Sequence, residues 1–141
     1  MILYCDSSAL VKLVINEPES EELEAWLGSQ PEPVLVSSVL ARTEVVRAVA
    51  RTDPDAVHLA LELLAAISVV ELDASLADEA ARLDPGELRS VDALHMASAL
   101  RLGPALGSVL SYDERMLEAA IRRGIAVAHP GWPPSASIDP G

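Results

Sequence analysis

Residues 3–13 read LYCDSSALVKL. With Ile2, the residues Leu3, Tyr4 and Cys5 form a continuous apolar run, the pattern of a strand buried on both faces. Asp6 ends it. After two serines, Ala9, Leu10, Val11, Leu13, Val14 and Ile15 take up helical spacing. A core strand thus delivers a carboxylate at its tip, where a helix begins. Two accounts of Asp6 are open. Asp and Ser are preferred helix N-caps, because their oxygens accept from the orphan N–H groups of the first turn. Alternatively, the acid belongs to a ligand site. One Asp does not separate the two, and the rest of the chain has to be read.

The strand-then-helix pattern recurs. Apolar, Val/Ile/Leu-rich runs lie at Ile2–Cys5, Val34–Ser37, Ser68–Leu72, Ser108–Ser111 and Ile125–Ala128. None alternates with polar residues, as expected for strands covered on both faces. Between them lie helical segments at 7–16, 19–29, 38–51, 54–67, 74–83, 91–102 and 114–123, with start and stop signals. Asp53 with Pro54, Asp73, Ser90 and Asp113 are placed as caps, and Pro54 takes the favoured first helical position. No repeat or linker interrupts the pattern. The expectation is one α/β domain over residues 1–130, a doubly wound, mainly parallel five-stranded sheet flanked by about seven helices. A Pro/Gly-rich tail, 131–141, should be loose.

Composition narrows the function. A chain of 141 residues is long enough for one domain with a real core. Half of the residues are hydrophobic but only 3% are aromatic, with no Phe, so the core is aliphatic. The formal net charge of -12 argues against broad phosphate-backbone binding, which needs a basic surface. It leaves room for a nucleic-acid enzyme that meets its substrate through metal ions. Cys5 is the only cysteine, so no internal disulfide forms and no CxxC framework exists. In an apolar strand it reads as inert core. With no basic leader and no apolar run of about 18 residues, the expectation is a soluble cytoplasmic protein.

Other acids also sit near strand ends. Glu44 lies about two turns into the helix after the second strand, Asp92 in the first turn of a capped helix, and Asp113 two residues after the fourth strand. In a doubly wound sheet the strand C-termini share one edge, and the crevice where strand order reverses is the usual ligand site. If the first strand is central, Asp6, Glu44 and Asp113 converge there, and the helix carrying Asp92 reaches in from the side. Each acid also has a structural account: Asp113 as a cap, Asp92 as a favourable charge at a helix N-terminus, Glu44 as a solvated helix former. Against these stands their context. Asp92 runs into Ala93-Leu94, and Glu44 lies among Val39, Leu40, Val45 and Val46, unlike a freely solvated face.

Four carboxylates in one pocket repel one another unless something positive joins them. Oxygen donors without Cys suit Mg²⁺ or Mn²⁺ rather than zinc. Carboxylate-held Mg²⁺ keeps open positions for water and phosphate oxygens, which is the equipment for phosphodiester hydrolysis.

The segments DSSALVKL at 6–13, Glu44 after the second strand, VDALHMASAL at 91–100 and LSYDERM at 110–116 together resemble the PIN domain, and within it the VapC ribonuclease toxins of bacterial toxin–antitoxin pairs. The resemblance spans roughly residues 1–130. It implies a sheet in the order 3-2-1-4-5 and a metal-dependent endoribonuclease with Asp6, Glu44, Asp92 and Asp113 as its acidic quartet, holding Mg²⁺ or Mn²⁺. It also implies an RNA substrate, a small VapB-like antitoxin and a homodimer. Ser111 stands where many relatives have Thr, and the hydroxyl is kept.

Further residues carry two readings each. Ser7 and Ser111 flank the acids, either as caps or as holders of a carboxylate. His95 shares a helix face with Asp92; a structural hydrogen bond is favoured over ligation, since carboxylates suffice for Mg²⁺. His58 and His129 lack acid context and read as surface residues. Arg47, Arg51 and Arg115 lie close to Glu44 or Asp113 in sequence and are the candidates to hold RNA phosphates; the other reading is solvated arginine. The apolar faces of 19–29 and 54–67, with Leu23, Trp26, Leu27, Val57, Leu61 and Leu64, read as core or as a groove for a partner helix. The competing function is a non-catalytic binding or receiver-like signalling module that uses the acidic cluster to hold a cation. A receiver wants an acidic pair after the first strand and a late lysine, whereas this chain has CDSS and only Lys12.

Overall fold

The computed structural model describes residues 1–84 and 88–133. The elements run β1 (Ile2–Cys5), α1 (Ser7–Lys12), α2 (Ser20–Ser29), β2 (Val34–Ser38), α3 (Ala41–Thr52), α4 (Val57–Ala66), β3 (Ser68–Val70), α5 (Ala74–Ala81), α6 (Ser90–Leu100), β4 (Leu106–Leu110), α7 (Glu114–Arg122) and β5 (Val127–Ala128). All pairings are parallel, in the order β3-β2-β1-β4-β5, so the first strand is central as expected.

Successive strand residues point to opposite faces, and both faces are covered. Leu3, Cys5 and Leu110 pack with Leu10, Leu23, Val45, Val49 and Leu64, placing α1 to α4 on one side. Tyr4, Val36 and Val109 pack with Met96, Ala99, Met116 and Ala120, placing α6 and α7 on the other. Helix α5 lies against α6 through Leu76, Ala80, Ala93 and Ala97. This is why the strands lack polar alternation: no face is left for water.

Several boundaries differ from the sequence pattern. Ser38 belongs to β2 because it pairs with Val70, and its hydroxyl accepts from the Leu40 N–H at 3.1 Å, so α3 begins at Ala41 rather than 38. Glu44 is therefore in the first turn of its helix, not two turns in. Helix α1 stops at Lys12, where Ser20 Oγ meets the carbonyls of Lys12 (2.7 Å) and Ile15 (3.0 Å). The segment 54–67 splits into a 3-10 turn, Pro54–Ala56, and α4, because Asp53 caps Asp55 N at 3.1 Å. Strands β3 and β5 are shorter than their apolar runs, and β4 starts earlier, at Leu106. Ser90 is already helical, and Arg89 precedes it without a side-chain cap.

The expected loose tail is not loose where it begins. Tyr112 Oη donates to the Pro130 carbonyl at 2.7 Å, and the Trp132 ring packs on Tyr112 and His129. Residues 134–141, most of the predicted tail, lie outside the described residues. His129 is also not a plain surface residue. It is half-buried, Nδ1 lies 3.0 Å from the Trp132 carbonyl, and Nε2 is buried with no partner among the described residues. His58 is exposed, as expected, and Cys5 is buried and free.

Leu10 joins α1 to the sheet beneath Asp6 and is fully buried. Leu10→Ala is expected to cost about 2–5 kcal/mol through lost burial and a residual cavity, read as a lower urea midpoint at unchanged slope. An unchanged midpoint would contradict its place in the core.

Candidate active site

The site is built from strand tips. Asp6 follows β1 and remains tied to the sheet, its N–H donating to the Leu110 carbonyl at 3.3 Å. Its side chain is almost wholly buried, 5% exposed, and is held by three donors. Oδ1 accepts from Ser8 Oγ at 2.5 Å and from the Ala9 N–H at 3.2 Å, and Oδ2 accepts from Ser111 Oγ at 2.5 Å. The capping account of Asp6 holds, since it N-caps α1 through Ala9, and the same carboxyl sits at the strand end where the ligand-site account puts it.

The two hydroxyls are oriented from the segment that follows the fourth strand. The Tyr112 N–H donates to Ser8 Oγ at 2.9 Å, and the Asp113 N–H donates to Ser111 Oγ at 3.0 Å. Each serine oxygen receives one backbone proton and gives its own to Asp6. Ser111 thus holds a carboxylate, as one of its two readings had it. Ser8 was missed by the sequence reading, and nothing local separates it from a capping serine; its role depends on a backbone amide from the other end of the chain. Ser7 is engaged with a different acid, hydrogen-bonding to Glu44.

The quartet divides electrostatically. Burial drives the Asp6 carboxyl up, opposed by the hydroxyls of Ser111 and Ser8 and by His95. Asp92, in the first turn of α6, is pushed from the ordinary 3.8 to about 6. Desolvation is the largest cause, followed by the charges of Asp113 and Asp6, and Asp92 also shares a hydrogen bond with Asp113. Asp92 thus interacts with both Asp113 and Asp6. Glu44 behaves oppositely. Burial raises it, but the His95 hydrogen bond and charge, with Ser7, outweigh that and hold the carboxyl below its usual range. His95 Nε2 lies 2.7 Å from Glu44 Oε1. His95 itself is raised: burial lowers it, but Glu44, Asp6 and Asp92 more than compensate. The favoured structural hydrogen bond of His95 is thus found, with Glu44 as the partner the sequence did not reveal. Asp113 also caps α7, accepting from the Arg115 N–H at 2.9 Å.

Beside Glu44 opens a cleft of about 540 Å³, lined by Ser7, Ser8, Thr43, Glu44, Arg47 and Arg51, with Lys12 and Tyr112 at its side. Arg47 and Arg51 are exposed on α3 and are brought to the site; Arg115 is exposed on α7, and its side chain is not among the lining of this cleft. Lys12 is committed elsewhere, to Glu19 at 2.9 Å and Glu17 at 3.5 Å, and lies over the Tyr112 ring.

The donors present are all oxygen, the set preferred by a hard cation. Among the described residues, no three Asp, Glu, His or Cys side chains are already gathered into a metal cage. Mg²⁺ does not require one: it is typically held by one or two carboxylates, with waters and substrate phosphate completing the shell. The facing Asp92 and Asp113, with Asp6 acting on Asp92, fit that demand.

A parallel sheet of this order, with carboxylates gathered over its central strand tip, defines a recognisable class, and residues 3–122 match the PIN domain family. The chain belongs to the PIN domain family. It is 43% identical over 128 residues to Ribonuclease VapC46 of Mycobacterium tuberculosis (strain ATCC 25618 / H37Rv), spanning 91% of this chain and 97% of that one. It is 36% identical over 133 residues to Ribonuclease VapC47 of Mycobacterium tuberculosis (strain CDC 1551 / Oshkosh), spanning 92% and 98%. Among solved structures it is similar in fold to Mycobacterium tuberculosis VapC20, described as a Sarcin-Ricin loop cleaving toxin. That match has a TM-score of 0.71 at 20% identity, covering 91% of this chain and 99% of the other.

The raised Asp92 carries a pH signature. Near pH 5 the folded protein holds a proton on Asp92 that the unfolded chain has lost, so stability falls as pH rises from about 4 to about 6. Asp92→Asn removes this contribution. In EDTA, the stability of wild type relative to Asp92→Asn is expected to decline across that window in denaturant melts. Parallel pH profiles would show that Asp92 is not perturbed by its neighbours.

Proposed function

We propose that this protein is a metal-dependent endoribonuclease, the toxin of a VapBC-type toxin–antitoxin pair. The observation that carries the reading is that Asp92, raised to about 6 first by burial, also feels the charges of Asp113 and Asp6 at the same sheet edge. Relatives named as ribonucleases along almost the whole chain support it, and no feature of the site favours a non-catalytic or receiver-like module.

The cation would be Mg²⁺ or Mn²⁺, held by Asp6, Asp92 and Asp113 with Glu44 beside them. When bound, it supplies Lewis-acid polarisation of a phosphoryl oxygen and activates water for attack on phosphorus. The chain's own groups do the rest. Ser8 and Ser111 fix Asp6 and oppose the rise that burial imposes on it, since a carboxylate accepting several hydrogen bonds is favoured in its charged form. Arg47 and Arg51 give an otherwise acidic protein a local place for phosphates on the Glu44 side of the edge. Among the described residues neither arginine is paired with an acid, whereas Lys12 is. The low aromatic content leaves few surfaces on which bases stack, so recognition rests on phosphate contacts and RNA shape more than on a stacking platform.

Residues 1–130 are taken as the nuclease domain. No helix among the described residues is long and apolar enough to cross a membrane, and we place the protein in the cytoplasm. A VapB-like antitoxin and a second copy of the chain are the proposed partners. On α4, Leu59 and Leu61 are exposed while Leu64 is buried, so that helix serves the core and also leaves apolar surface for a partner.

RNA cleavage is expected to require Mg²⁺ or Mn²⁺ and to stop in EDTA, and Asp6→Asn and Asp92→Asn should each lower it by orders of magnitude with the fold retained. Gel analysis of a model RNA, with circular dichroism of each variant, checks this; full cleavage in a chelator would remove the metal mechanism. The arginines give a separate outcome. Arg47→Ala with Arg51→Ala should weaken RNA binding and reduce its salt dependence, and an unchanged salt slope would place the phosphates elsewhere.

A further inference from the structure

We propose that His95, braced from behind by Tyr4, is the positioning residue for Glu44. The inference rests on the nuclease reading above and adds to it a residue pair outside the acidic quartet. His95 is 2% exposed, and both ring nitrogens are committed, Nε2 to Glu44 Oε1 and Nδ1 to the Tyr4 hydroxyl, each at 2.7 Å. It is therefore not free to ligate a cation. The Tyr4 side chain is fully buried, with its ring edge-on to the imidazole at a centroid distance of 6.0 Å. The Tyr4 hydroxyl also meets the hydroxyls of Ser37 and Ser98. Those serines give their own protons to the Cys5 carbonyl (2.6 Å) and the Leu94 carbonyl (2.8 Å), and so are left as acceptors. The chain of bonds is thus rooted in β1, β2 and α6 and ends on a glutamate carried by α3.

Its purpose follows from the contrast with Asp6. Asp6 has a short side chain, three protein donors and almost no exposure. Glu44 is longer, partly exposed at the mouth of the cleft, and without a tether would distribute over several rotamers. Histidine spans the gap because its two nitrogens lie on opposite edges of one rigid ring, one toward a buried phenol and the other toward the carboxylate. With Ser7 also hydrogen-bonding to Glu44, the His95 bond fixes the carboxylate's orientation at the mouth of the cleft. Hydrogen bonds behind a ligating carboxylate orient it, and their loss typically lowers metal affinity or activity about 10–100-fold.

The test compares wild type, His95→Ala, His95→Gln and Tyr4→Phe. Manganese affinity is measured by calorimetry without RNA, kcat and KM on a model RNA, and folding by circular dichroism. His95→Ala is expected to lose about 10–100-fold in Mn²⁺ affinity and in kcat. His95→Gln, whose amide keeps a donor near the position of Nε2, should recover most of both. Tyr4→Phe keeps the ring and loses the brace, and should fall between them. Wild-type Mn²⁺ affinity and kcat in His95→Ala would overturn the proposal, as would equal losses in the Ala and Gln variants. Should His95→Ala fail to fold, wild-type values in Tyr4→Phe overturn it. A wild-type protein that binds Mn²⁺ but cuts no RNA would overturn the nuclease reading instead, and the calorimetric comparison would still decide the role of His95.

Discussion

The arrangement depends on placing one carboxyl group, that of Asp6, at the buried tip of the central strand. Removing a carboxylate from water is costly unless hydrogen bonds or opposite charge replace the lost hydration. Three protein donors do so here: the hydroxyls of Ser8 and Ser111 and the Ala9 N–H. The serines are aimed by amides of the segment after β4, so the β1–β4 pairing and the charge state of Asp6 support each other. The same carboxylate starts α1. Cap and site residue are one group here because a strand-to-helix turn both needs an acceptor and points it at the sheet edge.

Once Asp6 is fixed, the other acids are arranged around its charge in two ways. Asp92 and Asp113 are left facing one another, and burial, together with the Asp113 and Asp6 charges, holds the Asp92 proton to about pH 6. Glu44 is drawn to the buried imidazole of His95 and stays ionised. Among the described residues, the edge therefore combines aspartates without a cationic partner with a glutamate held by His95 beside two arginines. The proposed function puts metal chemistry and phosphate contact on neighbouring parts of one crevice, in a protein whose overall charge would otherwise repel RNA.

The alternation of strands and helices was legible because a sheet covered on both faces leaves unbroken apolar runs, and the central position of the first strand came with the family resemblance and was found. Boundaries were less legible where pairing overrides local pattern: Ser38 is drawn into β2 by Val70, and Pro54 imposes a tight turn before α4. Asp6 and Asp113 follow the ends of β1 and β4, whereas Glu44 and Asp92 lie in the first turns of α3 and α6, and Glu44's place in its helix was misjudged. What the chain did not reveal were the contacts that give those acids their properties. Ser8 reads as any capping serine until Tyr112, 104 positions later, offers its amide, and His95 finds Glu44 across a separation of 51 residues. His129 was misjudged for the same reason, since its packing on Trp132 depends on how the chain turns after β5.

The central claim is that the aspartates act as one cation-binding unit whose shared proton must leave when the cation enters. Metal binding to protonated ligands releases protons, so the most direct measurement is calorimetry of Mn²⁺ binding at pH 6 in two buffers of different ionisation enthalpy. With Asp92 at about 6, binding should release roughly half a proton per cation or more, and Asp92→Asn should release much less. Binding with no proton release at pH 6, or release undiminished in Asp92→Asn, would contradict the account.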